Sequence, residues 1–338
     1  MIEFVNSDGG MCGQIRVLWP SQIFGANEFP VCTSRTIFIS RDIEGYYVQR
    51  AAQKSTFDVL RDTKARKILD YDDMFFKLYG EEFPVYNHCR YEIDIEDCTK
   101  AFKEGLDAID QITVSTDFLK NAIMDNYSFN RIEVVPNFLP RFIFKFDRRE
   151  HIDTDIKKPT ILYAGSRTHY SCSDIGDWNK ELASFLIKNI DNINLVILGQ
   201  LPWFLNLIMK KVKVIPFVNV LDYPMTLNSI KPDFVIAPLR ENVFNKCKSN
   251  LKYLESASVG ALCIGSTFPD SPYNCIDERC RMKQGMTVTD LEKMFKELCQ
   301  RDTFNEILDN QYKYLNNMWL EENIDLYARL FGQRRRKI

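Results

Sequence analysis

Short runs of β-branched and apolar residues alternate along this chain with longer stretches whose apolar positions recur every three or four residues. The first pattern reads as buried strands and the second as helices packed over them, the signature of parallel α/β layers. In the first half, strands are expected at Ile2–Val5, Thr36–Ile39, Lys67–Leu69, Gln111–Val114 and Ile132–Val135. In the second half they are expected at Thr160–Ala164, Asn194–Leu198, Val212–Pro216, Phe234–Ala237 and Ala261–Ile264. Helical spacing puts Trp178, Leu182 and Phe185 on one face of Asp177–Lys188. It puts Leu251, Leu254 and Ala257 or Ser258 on one face of Asn250–Val259.

Between the two series lies Arg141–Pro159, rich in Arg, Lys and Asp, which reads as an interdomain linker. Tyr312–Phe331 has a helical pattern that ends at Gly332 and is followed by the basic run Arg334-Arg335-Arg336-Lys337. No internal repeat is visible. A chain of 338 residues exceeds one ordinary α/β core and suits two. The expected division is residues 1–148, residues 149–316, and a segment 317–338 that packs back on the first domain and carries the basic tail.

Composition narrows the function classes. Hydrophobic residues make up 45% and charged residues 27%, enough for large cores in a soluble chain. A formal net charge of -2 argues against a protein that coats nucleic acid, so any such contact would be a local basic patch. No two of the ten cysteines show CxxC spacing, which favours free thiols over a disulfide framework or a zinc site. Met1–Asn6 has no basic region or long apolar stretch, and no run approaches the roughly 18 apolar residues of a membrane span. The expectation is a cytoplasmic protein with no metal and no membrane span.

The second half carries the chemistry. Ile161–Ala164 reads as a buried strand, and Gly165-Ser166 turns the chain at its carboxyl end, where open α/β sheets bind ligands. Arg167 and His169 follow in a polar loop, placed to meet a diphosphate. An ordinary strand–loop–helix with a solvated arginine would read the same way. In Phe244–Glu255, Ser249 or Asn250 is a plausible N-cap and Lys248 stands beside the helix N-terminus. Glu255, on the same short helix, can accept hydrogen bonds from two ribose hydroxyls; the bland alternative is a Lys252–Glu255 surface pair.

At this point the order of segments resembles a known family. The strand–GS loop, LVILG, PFV, PDFVIAPL, KSNLKYLE and GALCIGS look like the donor domain of retaining glycosyltransferases of the glycogen-synthase-like superfamily, glycosyltransferase family 4-like. Met11–Pro20 looks like the glycine loop and first helix of those enzymes, and Ile112–Leu119 and Val134–Phe138 look like the end of their first domain. The resemblance implies the glycosyltransferase-B fold: α/β, two facing Rossmann-like domains with a deep interdomain cleft. It implies Glu255 on the donor ribose, Arg167 on the leaving diphosphate, and the Phe217 and Val218 backbone at a uracil edge. Gly13, Gly165, Ser166, His169, Asn245 and Ser249 complete the expected donor site. The first glutamate of the family's paired motif would fall at Cys247 and is absent, with Lys248 and Asn245 as candidate replacements.

The acidic cluster Asp70-Tyr71-Asp72-Asp73 has three open readings: a metal motif borrowed from another fold, an acceptor-side carboxylate, or a helix cap. Asp72 and Asp73 are carried with Arg167 and Lys248 as catalytic candidates. Arg16, Asp70, Asn87 and His88 are carried as acceptor-side candidates. The resulting expectation is a retaining hexosyl- or pentosyltransferase that uses a nucleotide sugar, a UDP-sugar foremost, with no cofactor. The overall pattern looks like glycosyltransferases of tailed phages, which implies a hydroxymethylated pyrimidine in DNA as acceptor, contacted by Arg334, Arg335, Arg336 and Lys337, in a host cytoplasm. A glycan acceptor, a sugar-nucleotide epimerase and a non-catalytic nucleotide-sugar-binding protein are the alternatives.

Overall fold

The structure, a computed structural model, describes residues 1–7, 9–26, 31–37, 39–40, 42–81, 94–147, 149–165, 169–171 and 173–332. Two six-stranded, wholly parallel sheets organise them. The first sheet is ordered β2-β1-β3-β4-β5-β6, from β1 (Ile2–Val5), β2 (Val31–Ser34), β3 (Gly45–Gln49), β4 (Arg66–Tyr71), β5 (Gln111–Val114) and β6 (Ile132–Val134). The second is ordered β12-β11-β10-β7-β8-β9. Its strands are β7 (Thr160–Gly165), β8 (Asn194–Gly199), β9 (Lys213–Ile215), β10 (Phe234–Ala237), β11 (Leu262–Thr267) and β12 (Arg281–Lys283). Helices cover both faces of each sheet, which is why the central strands are apolar throughout rather than alternating.

Three strand assignments differ from the sequence expectation. The strand expected at Thr36–Ile39 lies instead at Val31–Ser34, and Thr36, Ile37 and Ile39 are outside any strand. As an edge strand it is half-exposed and polar, and the Ser34 hydroxyl turns the chain by binding Glu3 and the Thr36 carbonyl. β3 escaped because two tyrosines carry its apolar bulk; both are fully buried, and the Tyr47 hydroxyl bonds Asp70 at 2.7 Å. β12 is a three-residue edge strand of Arg, Met and Lys, with no apolar pattern to read.

The expected helix Tyr312–Phe331 is two helices, Arg301–Asn316 and Leu320–Leu330. Phe304, Ile307 and Leu308 of the first pack against the second sheet, and Gln311 bonds the backbone of Ala261 and Cys263. Leu320–Leu330 packs on the first sheet, with Tyr327 5.9 Å from Tyr47 between ring centroids. Where the chain crosses over, Trp319 bridges to Leu139, and Leu139 exchanges backbone hydrogen bonds with Met318 and Leu320. A strand-like pairing there replaces a helical turn.

Candidate functional site

The ends of β7 and β8 are fixed by two glycines. Register pairs Gly165 with Gly199, so neighbouring strands finish at one level. Gly199 has φ +126°, and a Cβ there would stand 2.7 Å from the Gly165 carbonyl oxygen and 3.2 Å from the Phe217 ring. Only glycine permits that approach. The aromatic ring thus lies over the strand end while remaining 62% exposed, and Val218 beside it is half-buried.

Around the ends of β7 and β10, Asp177 gathers a polar network although it is 3% exposed. It accepts from His169 Nδ1 at 2.7 Å, from Asn245 Nδ2 at 2.6 Å and from the Arg240 amide at 3.2 Å. The tautomer that donates from Nδ1 to this carboxylate leaves Nε2 as an acceptor. Asn245 is fully buried and also donates to the Arg240 carbonyl, while its own Oδ1 has no partner among the described residues.

Glu255 is 2% exposed on helix Leu251–Ser258. Its Oε2 accepts from the Tyr223 hydroxyl at 2.7 Å and from Lys252 Nζ at 2.8 Å, and Lys252 also meets the Tyr223 hydroxyl at 3.0 Å. The Lys252–Glu255 pair foreseen as a surface feature therefore exists, but its carboxylate lies inside. Burial works against the Lys252 charge; Glu255 and Tyr223 outweigh it and hold the ammonium above its ordinary value. Burial, then Glu255, pushes the Tyr223 hydroxyl up.

The segment between these clusters docks on the first sheet's half of the molecule. Val243 N donates to Glu81 and Thr116 donates to the Cys247 carbonyl. Asn137 donates to Ser249 Oγ at 2.7 Å, and Lys248 Nζ stands 3.0 Å from Asp73 Oδ2. Phe244 and Cys247 pack into the first half's core. Cys247 occupies the place of the absent glutamate and is fully buried, so a carboxylate at this position would be enclosed. The Lys248 ammonium also rests 4.2 Å from the Phe244 ring centre. Ser249 and Asn250 make no N-cap bond; Asn250 occupies the cap position, but its amide donates to the Tyr314 hydroxyl.

Arg16 and Asp70, expected on the acceptor side, lie fully buried instead. Arg16 sits in a π-helical turn, Gln14–Leu18, of the helical stretch that also contains a buried Gly13. Its Nε donates to Asp70 at 3.0 Å, and Nη1 reaches Asn137 Oδ1 at 3.0 Å. Tyr47 and Thr113 donate to the same carboxylate. The pair joins β3, β4 and β5 to the first helix, and through Asn137 it reaches Ser249. Asp72 is likewise buried and takes two bonds from Arg50, at 2.7 and 2.9 Å. Burial raises the Asp72 carboxyl, but Arg50 outweighs it and holds the group below its ordinary value. Of the acidic cluster, Asp73 faces the second half of the molecule and Asp70 and Asp72 do not.

Ser166, Arg167, Asn87, His88, Arg334, Arg335, Arg336 and Lys337 lie outside the described residues. Among the described residues, no group of three or more His, Cys, Asp or Glu is placed to hold a metal, and no helix is long and apolar enough to cross a membrane. Sequence reasoning missed the parts played by Asp177, Tyr223, Asn137 and Arg50. None carries a local motif; each acts through a partner at least 22 residues away or through a short loop closed by the fold.

No protein-family model matches the chain, and no curated protein matches it. Solved structures do. A glycosyltransferase from Rickettsia africae aligns over 98% of this chain and 98% of its own, with TM-score 0.65 and 12% identity. An α-glucosyltransferase solved with UDP and a 13-mer DNA containing a HMU base aligns over 98% and 99%, with TM-score 0.61 and 11% identity. TarM aligns over 86% of this chain with TM-score 0.59 and 11% identity, and the chain spans only about half of TarM, 55%. Identities this low establish the shared architecture: this chain has the glycosyltransferase-B fold.

Proposed function

We propose that the protein is a glycosyltransferase that takes a sugar from a nucleoside-diphosphate donor, a UDP-sugar foremost, with retention at the anomeric carbon. The observation that carries this reading is the Glu255–Tyr223–Lys252 cluster. A buried carboxylate sits on a short helix beside the strand ends, in a fold whose solved relatives include one holding UDP. In the donor complex, Glu255 accepts the ribose hydroxyls. The exposed Phe217 ring covers the uracil, with the backbone at Phe217 and Val218 reading its edge. In this reading Arg167 and Lys248 are the cations that serve the diphosphate, and they stabilise charge that develops on it as the sugar leaves.

Asp73 is the acceptor-side carboxylate of this scheme. It lies in the first half of the molecule, 3.0 Å from Lys248 Nζ of the second, where it can hydrogen-bond and orient the acceptor hydroxyl. Arg16, Asp70 and Asp72 hold the scaffold that positions it. In this scheme residues 1–148 bind the acceptor and residues 149–316 bind the donor. A hydroxymethylated pyrimidine in DNA is the acceptor we favour, because one similar structure carries a DNA with a HMU base. A panel of nucleotide sugars, followed by thermal shift and then by sugar release with DNA and glycan acceptors, tests the reading. Stabilisation by one UDP-sugar and none by the bare sugar is expected. A panel with no stabilising nucleotide refutes it.

A further inference from the structure

We infer that a cavity in the first half of the molecule, about 1240 Å³, binds an acceptor that carries a phosphate ester next to free hydroxyls. Calling the ligand an acceptor rests on the transferase reading; the binding chemistry does not. None of Gly165, Phe217, Lys248 or Glu255 lines this cavity, so it is separate from the donor cluster.

Gln49 is the first observation. It ends β3, forms part of the cavity wall and is 1% exposed, yet among the described residues neither its amide nitrogen nor its amide oxygen has a hydrogen-bond partner. An unpaired buried amide is unfavourable, and an apolar side chain of similar size would avoid the loss. A ligand hydroxyl donates and accepts at once, so it answers both amide atoms. Arg50, the next residue, has φ +51°, a backbone conformation unusual for a side chain of that size, and it too lines the cavity.

The second observation is the helix Lys54–Arg61, whose first turn lines the same space. Gln53 at its N-cap gives no side-chain hydrogen bond, and the first turn holds no acidic residue. The Thr56 amide donates to the Gln53 carbonyl at 3.1 Å, so the positive dipole end with the Lys54 and Ser55 amides, the Lys54 ammonium and the Ser55 hydroxyl is what meets an anion. Arg35 lines the cavity from the loop after β2. The lining carboxylates, Asp94, Asp97 and Glu104, all belong to the helix Ile95–Gly105 and its cap. Asp94 is spent capping that helix, through the amides of Glu96 and Asp97. The ligand's phosphate goes to Lys54 and its hydroxyls to Gln49, with Asp97 and Glu104 as further acceptors.

The test uses the full chain saturated with UDP, so that the donor site cannot take up the probe. Glycerol 3-phosphate, inorganic phosphate, uncharged glycerol and a short oligodeoxynucleotide are titrated by calorimetry into wild type, Lys54→Glu and Gln49→Leu. Glycerol 3-phosphate binds wild type and glycerol does not. Lys54→Glu weakens both phosphate probes about tenfold. Gln49→Leu weakens glycerol 3-phosphate but not inorganic phosphate, and it raises the melting temperature because the unpaired amide is gone. Tighter binding of glycerol 3-phosphate than of the oligonucleotide, whose internal phosphodiesters have no free hydroxyl beside them, supports the proposal; the reverse order contradicts the hydroxyl contact to Gln49 and overturns it. No binding of any phosphate ester, or unchanged binding in both variants, overturns it. Failure of UDP itself to bind counts against the donor reading alone.

Discussion

Lys248 Nζ of the second half stands 3.0 Å from Asp73 Oδ2 of the first, with both side chains about one-fifth exposed. The contact ties the loop before helix Leu251–Ser258 to the segment that follows β4. A double-mutant cycle of Lys248→Ala and Asp73→Ala, read by urea unfolding, is expected to give a coupling of about 1 kcal/mol that shrinks in high salt. A coupling near zero would show that the two residues merely lie near each other. In the transferase scheme, Lys248→Ala also lowers the transfer rate more than donor affinity.

Gly199→Ala places a Cβ against the Gly165 carbonyl at a φ of +126°. Strain of this kind costs about 1–3 kcal/mol, and relief requires moving either the strand end or the Phe217 ring. The variant is expected to melt at lower temperature and to bind UDP more weakly than wild type. Gly285→Ala serves as the control: its φ is +83° but no atom lies within 4 Å of the new Cβ, so it loses stability without losing UDP.

Asp72 gives a pH signature. Arg50 holds its carboxyl below the ordinary value, so the native state keeps the charge to lower pH than the unfolded chain does. The stabilisation is complete above the unfolded value, near pH 4, and is lost as pH falls through the lower folded value. Asp72→Asn should therefore destabilise the protein by about 3–5 kcal/mol at pH 7, with the difference from wild type shrinking below pH 4. Unfolding free energies measured from pH 7 down to pH 2.5 check this. Parallel curves for the two proteins would show that the carboxylate's charge is immaterial.

Arg16 is expected to be a folding residue. Replacing it with Met keeps the bulk but leaves Asp70 buried with only Tyr47 and Thr113 as donors. The cost is about 3–5 kcal/mol, whereas Arg16→Met with Asp70→Leu together should recover part of it. Denaturant midpoints for the three variants decide the matter. A double variant no better than Arg16→Met alone would mean that the lost bond to Asn137, and not the orphaned carboxylate, dominates.

Most of the fold was legible because parallel strands buried on both faces leave apolar runs, and Phe234–Ala237 was read to the residue. Legibility failed at edges. β2 and β12 are half-solvated and carry polar residues, and β3 hides its burial in tyrosines. The break at Trp319 was invisible because both flanking helices keep the same period while packing on different sheets. Charged residues were harder still. Asp70, Asp72 and Asp73 are near-neighbours in sequence but divide between two buried arginines and one lysine from the far half, a sorting that only tertiary contacts impose. Glu255 stands out as a candidate in the sequence because its helix and following strand form a local pattern; Tyr223, which bonds it, comes from 32 residues earlier.

The most direct test is calorimetric titration of UDP into wild type and Glu255→Gln. The amide keeps the side chain's shape and its place beside Tyr223 and Lys252 but lacks the charge that strengthens bonds from ribose hydroxyls. Saturable one-site binding by wild type, weakened about tenfold or more in the variant, is the predicted result. Equal affinity in the two proteins, each folded by its melting curve, would contradict the donor site described here.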